Sequence, residues 1–456
     1  MSLTVSLNRL LGKTIPCSCG REHVVPTREV LCGLGASDRV SEVLERHVPG
    51  RGGVLVADEV TWQVAGERVH GLLDGWQVRP VILQPAETGA LKADERSLRQ
   101  LADAIDGPAD FLLCVGSGTL NDLTKTVATA RQVPSVCVAT APSMNGYPSA
   151  IAALSRDGIK VTEPCEPPVA IICDTHILRH APASMIGAGL GDLLSKGTSS
   201  TDWLMGHVVL GEYFCEQPVE VVAQAEALCI EHAHAIARRR IKAIDLLSQS
   251  LIQSGISMAM AGSSSPASGG EHLISHYWDM VGPAAGLSGD LHGRQVAVAA
   301  VLMARLYELL KERTRQGVDL GAILASRPSA ESLREESLAH FGPLVAPATA
   351  QQIADFAVGK HMPADRLRGA LGPLANDPWG FWKHVGTYLR PSAQIVDAYR
   401  RGGVPTRARG IGIPGQWLLS ALRYARHIRL RYTVLDLAAD LNLLDEFIAT
   451  IDQEEG

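Results

Sequence analysis

The sequence has no surplus of positive charge. Its 42 Lys and Arg are outnumbered by 48 Asp and Glu, for a formal net charge of -6. That balance argues against a nucleic-acid surface built on bulk charge. Nor is net charge high enough, or apolar content low enough, for disorder. Charged residues are 20% of the chain and hydrophobic ones 46%, the proportions of a soluble globular protein. No long apolar run is uninterrupted. Gln132–Ser155 and Leu246–Gly270 lack Asp, Glu, Lys and Arg, but Pro, Gly, Ser or Asn break both, so neither reads as a membrane span. The first residues, Met1-Ser2-Leu3-Thr4-Val5, lack a basic segment followed by an apolar one, and no signal peptide is expected. Nine cysteines in 456 residues are too few and too scattered for a disulfide scaffold. Their odd number fits a reducing, cytoplasmic setting, and Cys32, Cys114, Cys137 and Cys173 read as small buried residues of apolar runs. Aromatics are scarce at 5%, whereas glycine numbers 44, a composition suited to tight turns and close backbone approach to small ligands.

What is present has two textures. Over about the first 175 residues, short apolar runs alternate with helical patterns. The runs are Val30–Leu34, Val54–Ala57, Val81–Gln84, Phe111–Val115, Ser135–Ala139 and Val169–Cys173. Each is bounded by Gly, Pro or Asp and reads as a strand. Between them lie amphipathic stretches such as Asp94–Ile105, with Leu98, Leu101 and Ile105 on one face. Continuous apolar strands separated by helices predict a parallel sheet covered on both faces. Beyond Asp174 the strand runs stop and long helical patterns follow, as in Val219–Ser250 and Gln295–Glu312. No segment repeats at a fixed period. The expectation is an α/β Rossmann-like domain over residues 1–175 and an all-helical domain over 176–456. The natural ligand position is the cleft between them, at the carboxyl ends of the strands.

Three features carry candidate chemistry. Phe111–Val115 runs into Gly116-Ser117-Gly118-Thr119-Leu120-Asn121-Asp122, with a helical pattern behind it. Glycines after a strand let the backbone approach a diphosphate, and the next helix start offers N–H donors. An ordinary strand-to-helix turn explains the same residues. Asp58 ends the run Val54–Ala57, where a carboxylate can bind ribose hydroxyls and repel the extra phosphate of NADP. It also suits a helix N-cap. His272 and His276 are four apart and share a helical face. Two imidazoles and a carboxylate commonly hold a divalent catalytic metal, although ordinary polar residues of helical turns would look alike. Glu271 falls on another face and is not taken as a ligand.

The ordered fragments GSGTLND (116–122), GLGD (189–192), PASGGEH (266–272) and His292-Gly293 resemble the bacterial-type sn-glycerol-1-phosphate dehydrogenases. These stand within the superfamily of iron-dependent alcohol dehydrogenases, glycerol dehydrogenases and 3-dehydroquinate synthases. Further fragments fit that type: CSCGR (17–21), SMNGY (143–147) and RYTVLD (431–436). The resemblance covers nearly the whole chain. It implies the dehydroquinate synthase-like fold: an NAD-binding α/β domain, then a helical metal- and substrate-binding domain. Carried over motif by motif, Asp192, His272 and His292 would hold one divalent metal ion, with Zn, Ni and Fe equally suited. Gly116, Ser117, Gly118 and Thr119 would form the diphosphate loop. Thr140 and Ser143 would lie near the nicotinamide, Asp122 at the junction of nicotinamide and substrate, and Asp58 on the adenosine ribose. His276 would stand beside the metal as a second histidine. The superfamily also implies a homodimer.

Three positions depart from the subgroup pattern. Ser265 replaces an Arg, Arg294 replaces a Glu, and Gly197 replaces a Tyr. All flank the substrate side. Lys196, four residues after Asp192 and so on the same helical face, and Arg294, two after His292, are the candidate cations to read a phosphate, with plain surface exposure the alternative for both. The expected activity is a metal-dependent NAD(H) oxidoreductase, with NADP possible, that interconverts dihydroxyacetone phosphate and sn-glycerol 1-phosphate or a close polyol. Asp122 and His276 would move the proton. The rivals are a dehydroquinate synthase-like cyclase, a diverged dehydrogenase of specialised metabolism, and a non-catalytic sensor that keeps the fold. Cys17, Cys19 and His23 offer only three ligands, two of them closer than the usual zinc-knuckle spacing, and read as a structured turn. Arg238–Arg240 with Lys242 reads as a solvated basic run on a helix.

Overall fold

The six apolar runs form one six-stranded parallel sheet, in a computed structural model that describes residues 7–86, 89–156 and 159–455. Met1–Val5, where no leader was expected, lies outside the described residues. Two short strands, β1 (Thr14–Pro16) and β2 (Glu22–Val24), precede the sheet. Its strands are β3 (Glu29–Gly33), β4 (Gly52–Asp58), β5 (Gln77–Leu83), β6 (Phe111–Gly116), β7 (Ser135–Ala139) and β10 (Ala170–Asp174). Between the last two lie β8 (Ile151–Arg156) and β9 (Ile159–Pro164). The spatial order is β3-β10-β7-β6-β4-β5, every pairing parallel. Residues of both β6 and β7 are buried throughout, as a sheet covered on both faces requires. Leu55, Ala57, Leu113, Val115, Val136 and Val138 share a core with Val40, Val43 and Leu44 of α1 (Val40–His47).

The helices that carry site residues follow in order. They are α2 (Glu95–Ala104), α3 (Gly118–Arg131), α4 (Ala183–Leu193), α5 (Lys196–Leu210), α6 (Ile241–Ala261), α7 (Gly270–Ala285) and α8 (His292–Arg313). Asp94 caps α2 by accepting the Ser97 N–H at 2.9 Å.

Three local expectations are corrected. Two antiparallel hairpins, β1-β2 and β8-β9, were not read as strands. The single helix expected over Val219–Ser250 is three helices, Glu216–Glu231, Ala233–Ala237 and α6. The break falls on the basic run: Arg239 is left-handed at φ 54°, so Arg238–Arg240 is a turn and not a helical face. The chain also does not run on as one helical face from Asp192 to Lys196, because α4 ends at Leu193 and α5 starts at Lys196.

Two compact units result. The first comprises 1–193 and 217–264, and the second 194–216 and 265–456. The first thus continues beyond the expected boundary at 175, since its helices keep packing on one another after the last strand. Within it α4 and α6 are neighbours. The second unit is helical throughout its described residues.

Candidate functional site

In the first unit the candidate cofactor residues stand at adjacent strand ends. From β4 the chain passes to β5 on one side, and β6 returns on the other side of β4 and leads to β7. The carboxyl ends of β4 and β6 therefore flank the point where strand order reverses, the usual ligand position in such sheets. Asp58 ends β4, Gly116 ends β6, and Thr140 follows β7. The Thr140 N–H donates to the Gly116 carbonyl at 3.0 Å and ties two of these ends together.

The glycine loop fits a dinucleotide in part. A Cβ on Gly116 would overlap the Leu120 side chain, so this glycine serves the close packing of strand on helix. A Cβ on Gly118 would meet only the Met144 side chain, 3.3 Å away at its nearest. Ser117 stands at the N-cap of α3 without a side-chain capping bond, and Thr119 lies in the first turn. N–H donors at the start of a 14-residue helix suit a diphosphate. The Asn121 amide is wholly buried in that first turn, and neither its Oδ1 nor its Nδ2 has a hydrogen-bond partner among the described residues. Asp58 is the N-cap of the next short helix: its Oδ1 accepts the Thr61 N–H at 2.7 Å, and its own N–H donates to Thr61 Oγ1 at 3.0 Å.

Asp122 is held on both oxygens. Oδ1 lies 3.0 Å from Lys125 Nζ, and Oδ2 accepts the Ala153 N–H at 3.2 Å. Lys125 was not singled out in the sequence. It is fully buried, and Nζ also donates to the carbonyls of Gly146 at 3.1 Å and Ile151 at 2.8 Å. This lysine thereby fixes the 146–151 segment, which joins the SMNGY fragment to β8.

That fragment supports Asp192. The Asn145 N–H donates to Asp192 Oδ2 at 3.1 Å and its Nδ2 to Oδ1 at 3.4 Å, while Nδ2 also reaches Ser254 Oγ on α6 at 3.1 Å. Two glycines admit the loop. A Cβ on Gly189 of α4 would overlap the Pro142 carbonyl oxygen, and one on Gly255 of α6 would overlap the Asn145 carbonyl oxygen. Ser143 lies between these contacts, half-buried.

In the second unit three imidazoles gather. Ring centroids of His272 and His292 are 5.1 Å apart, those of His276 and His292 are 5.5 Å apart and stacked, and His272 to His276 is 6.2 Å. The tautomers of two are set by their neighbours. Ser275 Oγ spends its one proton on Gln295 Oε1 at 2.7 Å, so toward His292 Nδ1, at 2.9 Å, it accepts. Glu271 Oε1 accepts from His272 Nδ1 at 2.8 Å. A proton on Nδ1 puts the lone pair on Nε2, the arrangement typical of metal-ligating histidine. Glu271 contacts the ring of its neighbour, which helical spacing did not suggest.

Glu271 belongs to a buried acidic network. Thr198 Oγ1 donates to its Oε2 at 2.9 Å and the Gly269 N–H to its Oε1 at 2.7 Å. Burial pushes the Glu271 carboxyl up, but hydrogen bonds and charge from His272 outweigh this and hold it below the usual range. Asp202 nearby accepts from the Gly270 N–H at 2.7 Å, the Val434 N–H at 2.8 Å and the Tyr307 hydroxyl. Burial first, and then the Glu271 charge, raise its carboxyl to about 7. A Cβ on Gly269 would overlap Asp202, and one on Gly270 would press on Met303. These glycines admit protein groups.

The candidate phosphate readers differ. Lys196 is 3% exposed, and its Nζ donates to the Ala267 carbonyl at 2.9 Å. Arg294 pairs with Asp290, Nε to Oδ2 at 3.0 Å, and donates to the Gly410 carbonyl at 3.4 Å. Arg431, quoted in a motif but given no role, donates to the Ser268 carbonyl. Gly197 is buried, and Ser265 opens the short turn Ser265–Ala267.

The profile of the iron-containing alcohol dehydrogenases matches residues 31–182. The glycerol-1-phosphate dehydrogenase of Halalkalibacterium halodurans is 39% identical over 299 residues, covering 64% of this chain and 74% of that protein. That of Bacillus subtilis is 36% identical over 294 residues, covering 63% and 73%. Among solved structures, glycerol dehydrogenase from Schizosaccharomyces pombe shares the fold with a TM-score of 0.60 at 15% identity, over 94% of this chain and 91% of that one. No described helix is long and apolar enough to cross a membrane. The chain belongs to the glycerol-1-phosphate dehydrogenase family of the iron-containing alcohol dehydrogenase superfamily, a family of NAD(P)-dependent oxidoreductases.

Proposed function

We propose that this protein reduces dihydroxyacetone phosphate to sn-glycerol 1-phosphate with NADH, using one divalent metal ion held by Asp192, His272 and His292. The observation that carries the metal reading is the engagement of Nδ1 on both His272 and His292 by acceptors of their own unit. Such partners orient ligating imidazoles and raise their basicity. The Asn145 contacts do the same for the Asp192 carboxylate. A divalent ion held by these residues would supply Lewis acidity toward a carbonyl oxygen.

The residues divide the remaining work. The start of α3 with Ser117, Gly118 and Thr119 binds the diphosphate, Asp58 takes the adenosine ribose and disfavours NADP, and Thr140 and Ser143 border the nicotinamide. His276, stacked on His292, moves the proton that accompanies hydride addition. Asp122 holds β8 and Lys125 in place beside the cofactor, which suits anchoring better than proton transfer. Lys196 and Arg431, both on the Ala267–Ser268 carbonyls, bring positive charge to the segment where Ser265 replaces the usual Arg. Arg294 has its charge matched by Asp290.

The test is NADH oxidation by metal-loaded protein with dihydroxyacetone phosphate, dihydroxyacetone and glyceraldehyde 3-phosphate, with chiral analysis of the product. Turnover with the first, giving the sn-1 isomer, is expected. Activity on dihydroxyacetone alone indicates a diverged polyol dehydrogenase. Phosphate release from a seven-carbon sugar phosphate, without net NADH consumption and with no turnover of the trioses, indicates the cyclase.

A further inference from the structure

The N-terminal hairpin gathers three soft donors outside the candidate active site. β1 and β2 pair with Ile15 opposite His23. The connecting turn closes through Cys17 N–H to the Arg21 carbonyl and Gly20 N–H to the Cys17 carbonyl, both at 3.1 Å. Gly20 sits at φ +83°, a left-handed backbone that glycine adopts without steric cost. This folds the two cysteines back toward the second strand. Cys19 Sγ lies 3.7 Å from His23 Nε2, and the donor atoms of Cys17, Cys19 and His23 all lie within 4.8 Å of one another.

Two details mark the cluster as more than a turn. Cys19 N–H points at Cys17 Sγ, 3.5 Å away, so the turn holds the sulfur in place. His23 is 1% exposed, and its Nδ1 is 2.6 Å from the Met260 carbonyl on α6. A carbonyl can only accept, so Nδ1 carries the proton and the lone pair stands on Nε2, the nitrogen beside the thiols. The Cys-x-Cys spacing is too tight for a zinc knuckle, but here the third donor comes from the opposite strand and not from a second half-knuckle.

We propose that Cys17, Cys19 and His23 bind a structural zinc ion. Thiolates with an imidazole select a soft or borderline cation, and zinc in structural sites is tetrahedral with such donors. A hairpin of two three-residue strands is marginal by itself. The ion would fasten it, and through His23 and Met260 fasten it to α6. That helix also carries Ser254 and Gly255, which seat the loop bearing Asn145.

The experiment measures zinc per chain after dialysis against a weak chelator, in the full-length protein. In the His272→Ala background one zinc should remain. Adding Cys17→Ser and Cys19→Ser should remove it. The same two serines in the wild-type background should spare NADH-dependent turnover once the other metal is resupplied. Cobalt loading of the His272→Ala protein should give a thiolate-to-cobalt charge-transfer band, absent in the serine variant. Zinc content unchanged by the two serines would overturn the proposal. So would a His272→Ala protein with no zinc and no charge-transfer band, a readout that holds even if the serine variant fails to fold. Because this equivalent is read by the cysteines, its failure is separate from any failure of the Asp192, His272 and His292 reading.

Discussion

Glu271 and His272 are neighbours in sequence, and the carboxylate of the first accepts the Nδ1–H of the second at 2.8 Å. Both stand in the first turn of α7, which begins at Gly270. Thr198 and Gly269 hold the carboxylate from its other sides. Replacing it with an amide should leave the volume but loosen the ring. Glu271→Gln should weaken metal affinity about 10- to 100-fold, the usual effect of losing such a partner, with kcat largely kept at saturating metal. His272→Ala should abolish both metal retention and turnover. Chelator competition with each variant is the measurement, and unchanged affinity in Glu271→Gln would reduce the contact to packing.

Asp58 separates two roles by choice of replacement. It caps a helix through Thr61, and it ends β4 at the sheet position suited to a ribose. Serine keeps the cap and removes the charge. Asp58→Ser should therefore hold the melting temperature and raise kcat/KM for NADPH relative to NADH. Asp58→Ala should shift cofactor preference likewise and also cost about 1 kcal/mol for the lost cap. A preference unmoved by either change would leave Asp58 a cap alone.

Gly189 is tested by one methyl group. A Cβ there would overlap the Pro142 carbonyl oxygen, a backbone atom that moves only with its loop. Gly189→Ala should destabilise by about 1–3 kcal/mol and displace the segment that delivers Asn145 to Asp192. Metal affinity should fall along with stability. A variant less stable but equal in metal affinity would show that the loop and the carboxylate are uncoupled.

Much of this was legible in the sequence, and the misses have physical reasons. The six sheet strands announced themselves as short apolar runs ended by Gly, Pro or Asp, most clearly in β4, β6, β7 and β10, whose residues are buried almost throughout. The hairpins escaped because β1 and β2 have three residues each, and β9, with Lys160, Thr162 and Glu163, carries no apolar run. The break at Arg239 escaped because neither Gly nor Pro marks it. Lys125 is invisible to periodicity: what makes it matter is a set of carbonyls some 20 residues later. His272 and His276 were readable from their spacing, but the proton arrangement of His292 depends on Ser275 and Gln295, contacts made only once α7 and α8 pack. Asp202 gave no signal, since a carboxylate in a helix looks solvated until its neighbours are known.

His340 predicts how stability responds to acid. Burial lowers its imidazole to about 4, and its Nε2 lies 2.8 Å from the Tyr277 hydroxyl while its ring stacks on Tyr424 at 3.7 Å. The unfolded chain takes up this proton at about 6.5. Between those values the unfolded state binds more protons than the native one, so stability is lost as pH falls through that window. His340→Gln should flatten the loss by on the order of 1 kcal/mol, the partial solvation of the ring allowed for. Urea midpoints at neutral and mildly acid pH test this, and equal slopes in both proteins would contradict it.

The substrate phosphate is the sharpest test of specificity, because two cations that the sequence treated alike are placed differently. Arg294 spends its charge on Asp290 at 3.0 Å, so its removal uncovers a carboxylate as much as it removes a cation. Lys196 is buried with its ammonium on the Ala267 carbonyl and the Ser195 hydroxyl. An ammonium held in a buried setting can read an incoming anion strongly, since charge-assisted bonds to phosphate are the strong ones and low dielectric magnifies them. Lys196→Met keeps the stem and deletes the charge. It should raise KM for dihydroxyacetone phosphate at least about 10-fold, the loss of roughly one charge-assisted hydrogen bond, and leave KM for dihydroxyacetone nearly unchanged. Arg294→Ala should change the two KM values together and by less. If Arg294→Ala proves the selective variant, Asp290 must release it when phosphate arrives, and the reader of the phosphate is then Arg294. If neither is selective, the charge at Ala267–Ser268 is structural and the natural substrate is an uncharged polyol or its ketone.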